Sequence, residues 1–145
     1  MASAAPAYAQ SPPPDCLDVA FSGDSCKCPG QGQNDFSYNL SVCFTNTCPA
    51  GSDPITVTVL RLVSNSGVTL CPTESEVLVI APGATVCTAT RWYFSANSAN
   101  FIDVVYRIGD GPETSTPGQG LASPPDCGTQ EGQASCEDAP ESCVP

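Results

Sequence analysis

Between residues 36 and 44 the chain alternates without interruption: Phe36, Tyr38, Leu40, Val42 and Phe44 fall on one side, Ser37, Asn39, Ser41 and Cys43 on the other. A period of two sends successive side chains to opposite faces of a pleated strand, so the stretch predicts a half-buried β-strand. Residues 55–63 repeat the pattern. There Ile55, Val57, Val59 and Val63 share a face with Arg61 among them, while Leu60 and Leu62 make the second face partly apolar. Residues 101–108 alternate through Ile102, Val104, Tyr106 and Ile108. A long β-branched and aromatic run covers 84–94 and a short apolar one 76–80, and Val19 with Phe21 and Val68 to Leu70 add two more short strands. Gly23, Gly30, Gly51, Asn65-Ser66-Gly67, Pro82-Gly83 and Asn97 supply turns between them. About seven short strands in roughly a hundred residues predict an all-β, immunoglobulin-like antiparallel β-sandwich.

Composition divides the chain in three. Residues 1–15 are small and Pro-rich, and Ala7-Tyr8-Ala9 has the small-x-small pattern of a bacterial secretory cleavage site, which makes the leader a candidate signal-peptide remnant. Residues 16–110 carry nearly all the large apolar side chains and form the predicted sandwich. Residues 111–145 are an acidic, Pro- and Gly-rich tail with three cysteines and no cation. Ser11-Pro12-Pro13-Pro14-Asp15-Cys16 is echoed by Ser123-Pro124-Pro125-Asp126-Cys127, which reads as similar spacers on the two flanks of one domain.

Charge and cysteine content then narrow the class. Fifteen carboxylates face only Lys27, Arg61, Arg91 and Arg107, for a net charge of −11. Nucleic-acid affinity rests on cations that displace counterions, so nucleic acid is not an expected partner. No apolar run reaches the length of a membrane-spanning helix, and membrane insertion is not expected either. Ten cysteines in 145 residues without a His read as a disulfide framework rather than a metal site. Disulfides in turn imply a secreted or cell-surface protein.

Two stretches carry a family resemblance. Phe36-Ser37-Tyr38-Asn39-Leu40-Ser41-Val42-Cys43-Phe44-Thr45-Asn46-Thr47 looks like the opening strand of the immunoglobulin-like repeat of bacterial and archaeal envelope proteins, catalogued as domain of unknown function eleven and its relatives. Val68-Thr69-Leu70-Cys71-Pro72-Thr73 followed by Ala81-Pro82-Gly83-Ala84-Thr85-Val86-Cys87-Thr88-Ala89-Thr90 is similar to that family's cysteine-bearing segment with its Pro-Gly turn. The likeness covers 36–109. It departs at Ser95-Ala96-Asn97-Ser98-Ala99-Asn100 and leaves the cysteine-bearing flanks unexplained. It implies a non-catalytic spacer or adhesive module and a Cys71–Cys87 bridge, whose loop of roughly fifteen residues would stabilise by about 3 kcal/mol in the chain-entropy model. The partners of Cys16, Cys26, Cys28, Cys43, Cys48, Cys127, Cys136 and Cys143 stay open among roughly a hundred pairings. Cys26 and Cys28 are too close to bond each other, while Cys43 has Cys48, Cys26 and Cys28 as candidate partners.

Candidate chemistry is thin. No His stands ready to activate a serine or a cysteine. Glu74, Glu76, Asp110 and Glu113 read as solvated loop acids rather than a glycosidase pair. Calcium is the one cofactor the acids admit, through Asp110-Gly111-Pro112-Glu113 and the tail, but none shows a spaced calcium-loop pattern. Asn39-Leu40-Ser41 is a glycosylation sequon. Trp92-Tyr93-Phe94 has the composition of a carbohydrate platform, yet alternation sends at least one of the three into the core. The expected function is a non-catalytic structural subunit of an extracellular assembly (a fibre, sheath or stalk) that self-associates through its flanks by strand addition and disulfides. Next comes a monomeric adhesin-like or carbohydrate-binding module meeting surface proteins or glycans, and third a small secreted inhibitor or effector.

Overall fold

The computed structural model describes residues 16–29, 36–96, 101–116 and 120–127. Ten strands follow in order: β1 (Leu17–Phe21), β2 (Cys26–Pro29), β3 (Phe36–Leu40), β4 (Val42–Asn46), β5 (Ile55–Ser64), β6 (Glu76–Ile80), β7 (Thr85–Cys87), β8 (Trp92–Ala96), β9 (Ile102–Ile108) and β10 (Thr114–Ser115). All strand pairing between them is antiparallel. The all-β expectation therefore holds, as an antiparallel sandwich cross-linked by disulfides.

One layer is a continuous four-stranded sheet of order β10-β9-β5-β6. The other is interrupted. Three chain lines each carry two short strands, so that β1-β4-β7 and β2-β3-β8 form two three-stranded sheets laid end to end. Breaks fall at Ser22–Ser25, at Ser41 and at Thr88–Arg91. Tyr38, Leu40, Val42 and Phe44 nevertheless all stay buried, so the alternation read from the sequence passes through the break at Ser41 unchanged. They meet Val57, Val59, Leu62, Ile80, Ile102 and Val104 of the opposite layer in one core, where the rings of Phe44 and Tyr106 lie 5.3 Å apart, edge to face.

Three sequence expectations change. The run at 84–94 is not one strand but two, parted at 88–91. Val68 to Leu70 contributes a single bridge, Thr69 to Val63, and no strand. In β5 the pairing with β9 slips between Val59 and Arg61, a β-bulge. The extra residue reverses the phase, so Leu62 becomes fully buried while Arg61 and Val63 turn outward. Continued alternation would have driven the Arg61 charge into the core, at a heavy desolvation cost.

The boundary expected at residue 110 also moves. Beyond β10, Leu121 bridges Ile102 of β9 through two backbone bonds. The chain then crosses to the other layer, where Asp126 pairs in parallel with Lys27 of β2. Residues 111–116 and 120–127 thus belong to the sandwich. The leader 1–15, the later tail acids and the cysteines Cys136 and Cys143 lie outside the described residues.

Candidate functional site

Cysteines and short polar side chains gather on the interrupted layer. Each break strips backbone groups of their ladder partners, and a buried unpaired donor or acceptor costs about 1–3 kcal/mol. Hydroxyls take the vacant places. The Ser41 N–H donates to Ser25 Oγ (3.0 Å), and that hydroxyl donates to the Ser41 carbonyl (3.1 Å). One break over, Val42 N–H donates to Thr88 Oγ1 (3.2 Å), which donates to the Thr90 carbonyl (2.9 Å). Ser22 donates to the Asp24 carboxylate and accepts from Ser41 Oγ. These hydroxyls are thereby committed to holding the sheet.

Two carboxylates close the seam. Asp24 accepts from Arg91 Nη1 (2.9 Å), whose Nε donates to Asn39 Oδ1 (2.6 Å). Burial alone would raise the Asp24 carboxyl, but the Ser22 hydrogen bond and the Arg91 charge outweigh it and hold the group below its ordinary value. Glu76, which reads as a loop acid in the sequence, grips the break between β7 and β8: its two oxygens accept from the N–H groups of Ala89 (2.9 Å) and Thr90 (2.8 Å). Here too burial pushes upward and the backbone donors win, so the Glu76 carboxyl is lowered. Glu113 takes a fork from Arg61 at 3.3 and 3.0 Å and is lowered by that pairing. Among the described residues no group of three or more Cys, Asp or Glu side chains is arranged to hold a metal ion.

The disulfides correct the expected pairing. Cys87 bonds Cys43, not Cys71, because β4 and β7 set Cys43 and Cys87 directly opposite each other, with Cα atoms 3.9 Å apart. Cys71 sits elsewhere, bridged to Tyr93 at the edge of the β2-β3-β8 sheet. Cys48 bonds back to Cys16 (Cα–Cα 5.0 Å), tying the start of β1 to the end of β4, and not to Cys43. Cys26 bonds Cys127 (4.9 Å) across 101 positions of sequence. Lys27 strengthens that junction, donating to the Pro124 carbonyl at 2.8 Å and meeting Asp126 at 3.2 Å. Cys28 and Cys71 are disulfide-bonded as well.

Two surface readings also change. The sequon Asn39 is fully buried, with its amide oxygen engaged by Arg91, so the folded chain does not offer it for glycosylation. Trp92 and Phe94 enter the core and only Tyr93 faces outward, which leaves no aromatic platform at that triplet. The seam residues Ser25, Ser41 and Thr88 escaped the sequence reading because their role depends on where three separate strands break. The large apolar side chains left most exposed are Val68, Val77, Val79 and Phe101, among the described residues.

A multiple-disulfide β-sandwich fits an oxidising environment, and no helix is long and apolar enough to cross a membrane among the described residues. Comparison with family models, with curated proteins and with solved structures finds no match to this chain.

Proposed function

We propose that this protein is a secreted, non-catalytic structural subunit or module of a cell-surface or extracellular assembly, meeting its neighbours through the outer face of the β10-β9-β5-β6 sheet. The observation that carries this reading is the pair Val77 and Val79, each 60% exposed on β6. Register sets them beside Thr58 and Thr56 of β5, a β-branched strip without carboxylates in a chain of net charge −11, with Arg107 of β9 opposite Thr58 at its border. A net negative chain repels its own copies, and a strip of the sheet that carries no carboxylate is where a neighbour could approach without like-charge repulsion. The envelope-repeat resemblance over 36–109 supports the same class. Strand addition by the flank is a weaker route than the sequence suggests, because residues 120–127 already pair within the molecule.

Size-exclusion chromatography with light scattering, and electron microscopy of the purified protein, test the reading. Oligomers or filaments are expected, together with their loss in a Val77→Asp/Val79→Asp variant that keeps its circular dichroism spectrum. A wild-type chain that stays monomeric at millimolar concentration would sink it. The second reading, a monomeric adhesin-like or carbohydrate-binding module, draws on Phe101 and Val68, exposed beside the 65–67 turn, where the Phe101 carbonyl accepts from Asn65 N–H at 3.0 Å. Retention on a glycan array by a strictly monomeric chain would favour it.

A further inference from the structure

The edges of the three sheets are not equally protected. Unpaired N–H and C=O groups along an edge strand template pairing with another chain, and folds guard against it with short strands, charges or covering segments. β2 is covered by its own chain: Lys27 N–H donates to the Pro125 carbonyl at 3.0 Å, and Cys127 N–H to the Lys27 carbonyl at 2.8 Å. β8 is covered likewise, with Cys71 and Tyr93 exchanging both backbone bonds at 3.1 and 2.6 Å. β7 and β10 are only three and two residues long, and β1 leaves Asp18 exposed. β6 has none of these guards. It is five residues long, and its one charge, Glu76, is folded back onto the N–H groups of Ala89 and Thr90.

Register decides which backbone groups this edge offers. Gly109 N–H donates to the Thr56 carbonyl at 2.9 Å, so Thr56 turns its backbone groups to the β9 side. Successive residues of a strand alternate sides, so Val57 and Val59 turn theirs to β6, where they pair with Leu78 and Glu76. Val77 and Val79 fall at the alternate positions, and their N–H and C=O groups point away from β5. Among the described residues nothing bonds to those groups. The same two residues carry the exposed side chains of the outer face. An edge of this kind accepts an extended strand.

We propose that β6 pairs antiparallel with β6 of a second copy about a two-fold axis at Leu78, which rests on the self-association proposed above and gives it an edge-to-edge geometry. The strand is complementary to itself in that register. Val77 falls opposite the partner's Val79, and Val79 opposite the partner's Val77. Both members of each pair point their backbone groups outward, so each pair exchanges both bonds, and the valines meet as cross-strand pairs on the outer face. Carboxylates stay apart, because Glu76 falls opposite the partner's Ile80 and Glu74 opposite the partner's Pro82. Centring on Leu78 also lets every residue of β6 take part. A two-fold contact closes at two copies. It joins two four-stranded sheets into one continuous sheet, and the dimer becomes the unit that a larger assembly repeats.

Amide hydrogen exchange by NMR, at low and high protein concentration, tests the pairing alongside light scattering. The expected result is a dimer that forms on concentration, with the Val77 and Val79 N–H groups exchanging more slowly as it forms. Val79→Pro removes one outward N–H, keeps an apolar side chain and spares the β5 ladder, as proline does on an edge strand. It should be monomeric with an unchanged circular dichroism spectrum. If Val79→Pro still associates like the wild type, or the two amides stay fast in the associated protein, copies meet face to face. Edge pairing then falls while the assembly reading stands. Slow exchange of both amides in the dilute monomer means that the chain covers its own edge, and that also overturns the pairing. A wild-type chain monomeric at every concentration removes both. If Val79→Pro does not fold, exchange in the wild-type protein decides.

Discussion

The two layers of this sandwich are held by different means. In the β10-β9-β5-β6 sheet a ten-residue strand, β5, pairs with β9 from Val57 to Ser64 and with β6 from Ile55 to Val59. Its one irregularity is a bulge that improves burial, and none of the three mapped disulfides lies within it. The facing layer is cut across all three of its chain lines, and there every mapped disulfide is found, together with the hydroxyl stitches of Ser25 and Thr88. A continuous ladder satisfies its own backbone and needs only an apolar face to be stable. An interrupted one loses both hydrogen bonds and cooperativity at each cut, and restores them with side-chain donors and covalent links. Cysteine placement in this chain therefore marks where the sheet is weakest.

If that division is right, removing one cross-link should hurt far more than its size implies. Replacing the Cys26–Cys127 pair by serines abolishes a closure across 101 positions, with an expected loss of about 4–5 kcal/mol in the chain-entropy model. Urea unfolding followed by tryptophan fluorescence, with Trp92 as the reporter in this very layer, checks the figure. An unchanged midpoint would mean the flank is held by Lys27 and Asp126 alone.

A smaller effect separates the layers more sharply. Ser25→Ala leaves the buried Ser41 N–H without its partner, while the Ser41 carbonyl keeps the Ser22 N–H at 2.9 Å, and should cost about 1–3 kcal/mol. Thr56→Ala, on the exposed face of the continuous sheet, should stay within about 0.5 kcal/mol. Equal losses for the two variants would remove the case that the Ser25 hydroxyl stitches a broken ladder while the Thr56 hydroxyl merely coats a continuous one.

The smallest effect is the dependence on pH. Asp24 and Glu76 both have folded values below their ordinary 3.8 and 4.5. Groups lowered by folding stabilise fully above the unfolded values, and that stabilisation is lost as pH falls through the folded ones. The urea midpoint should hold level from pH 7 to about 5 and decline below 4.5. Glu76→Gln, which removes the carboxylate gripping Ala89 and Thr90, should flatten part of that decline; an unaltered acid limb would assign it to other groups.

Much of the fold is legible residue by residue. Alternation from Phe36 to Phe44 names five residues of one strand line, and the four of them whose side chains are described are all buried. Trp92 and Phe94 enter the core as the period of two requires. The β5 bulge is not legible, because Val63 and Leu62 are both acceptable core residues and only pairing with β9 chooses between them. Cys87 is the clearest case. The envelope-repeat resemblance implies Cys71 as its partner, yet bonding depends on which strand lies opposite, and β7 is opposite β4.

What this chain's sequence determines alone is therefore local and compositional: strands rather than helices, an oxidising environment, an acidic surface, and which side chains are apolar enough to face inward. These follow from a periodicity of two and from residue chemistry, both of which act within a few positions. Cysteine partners, the burial of the Asn39 sequon, and the recruitment of Ser25, Thr88 and Glu76 to broken ladders belong to the tertiary structure. Each joins positions at least twelve residues apart. A contact of that kind exists only once sheet order and register have set the two positions side by side.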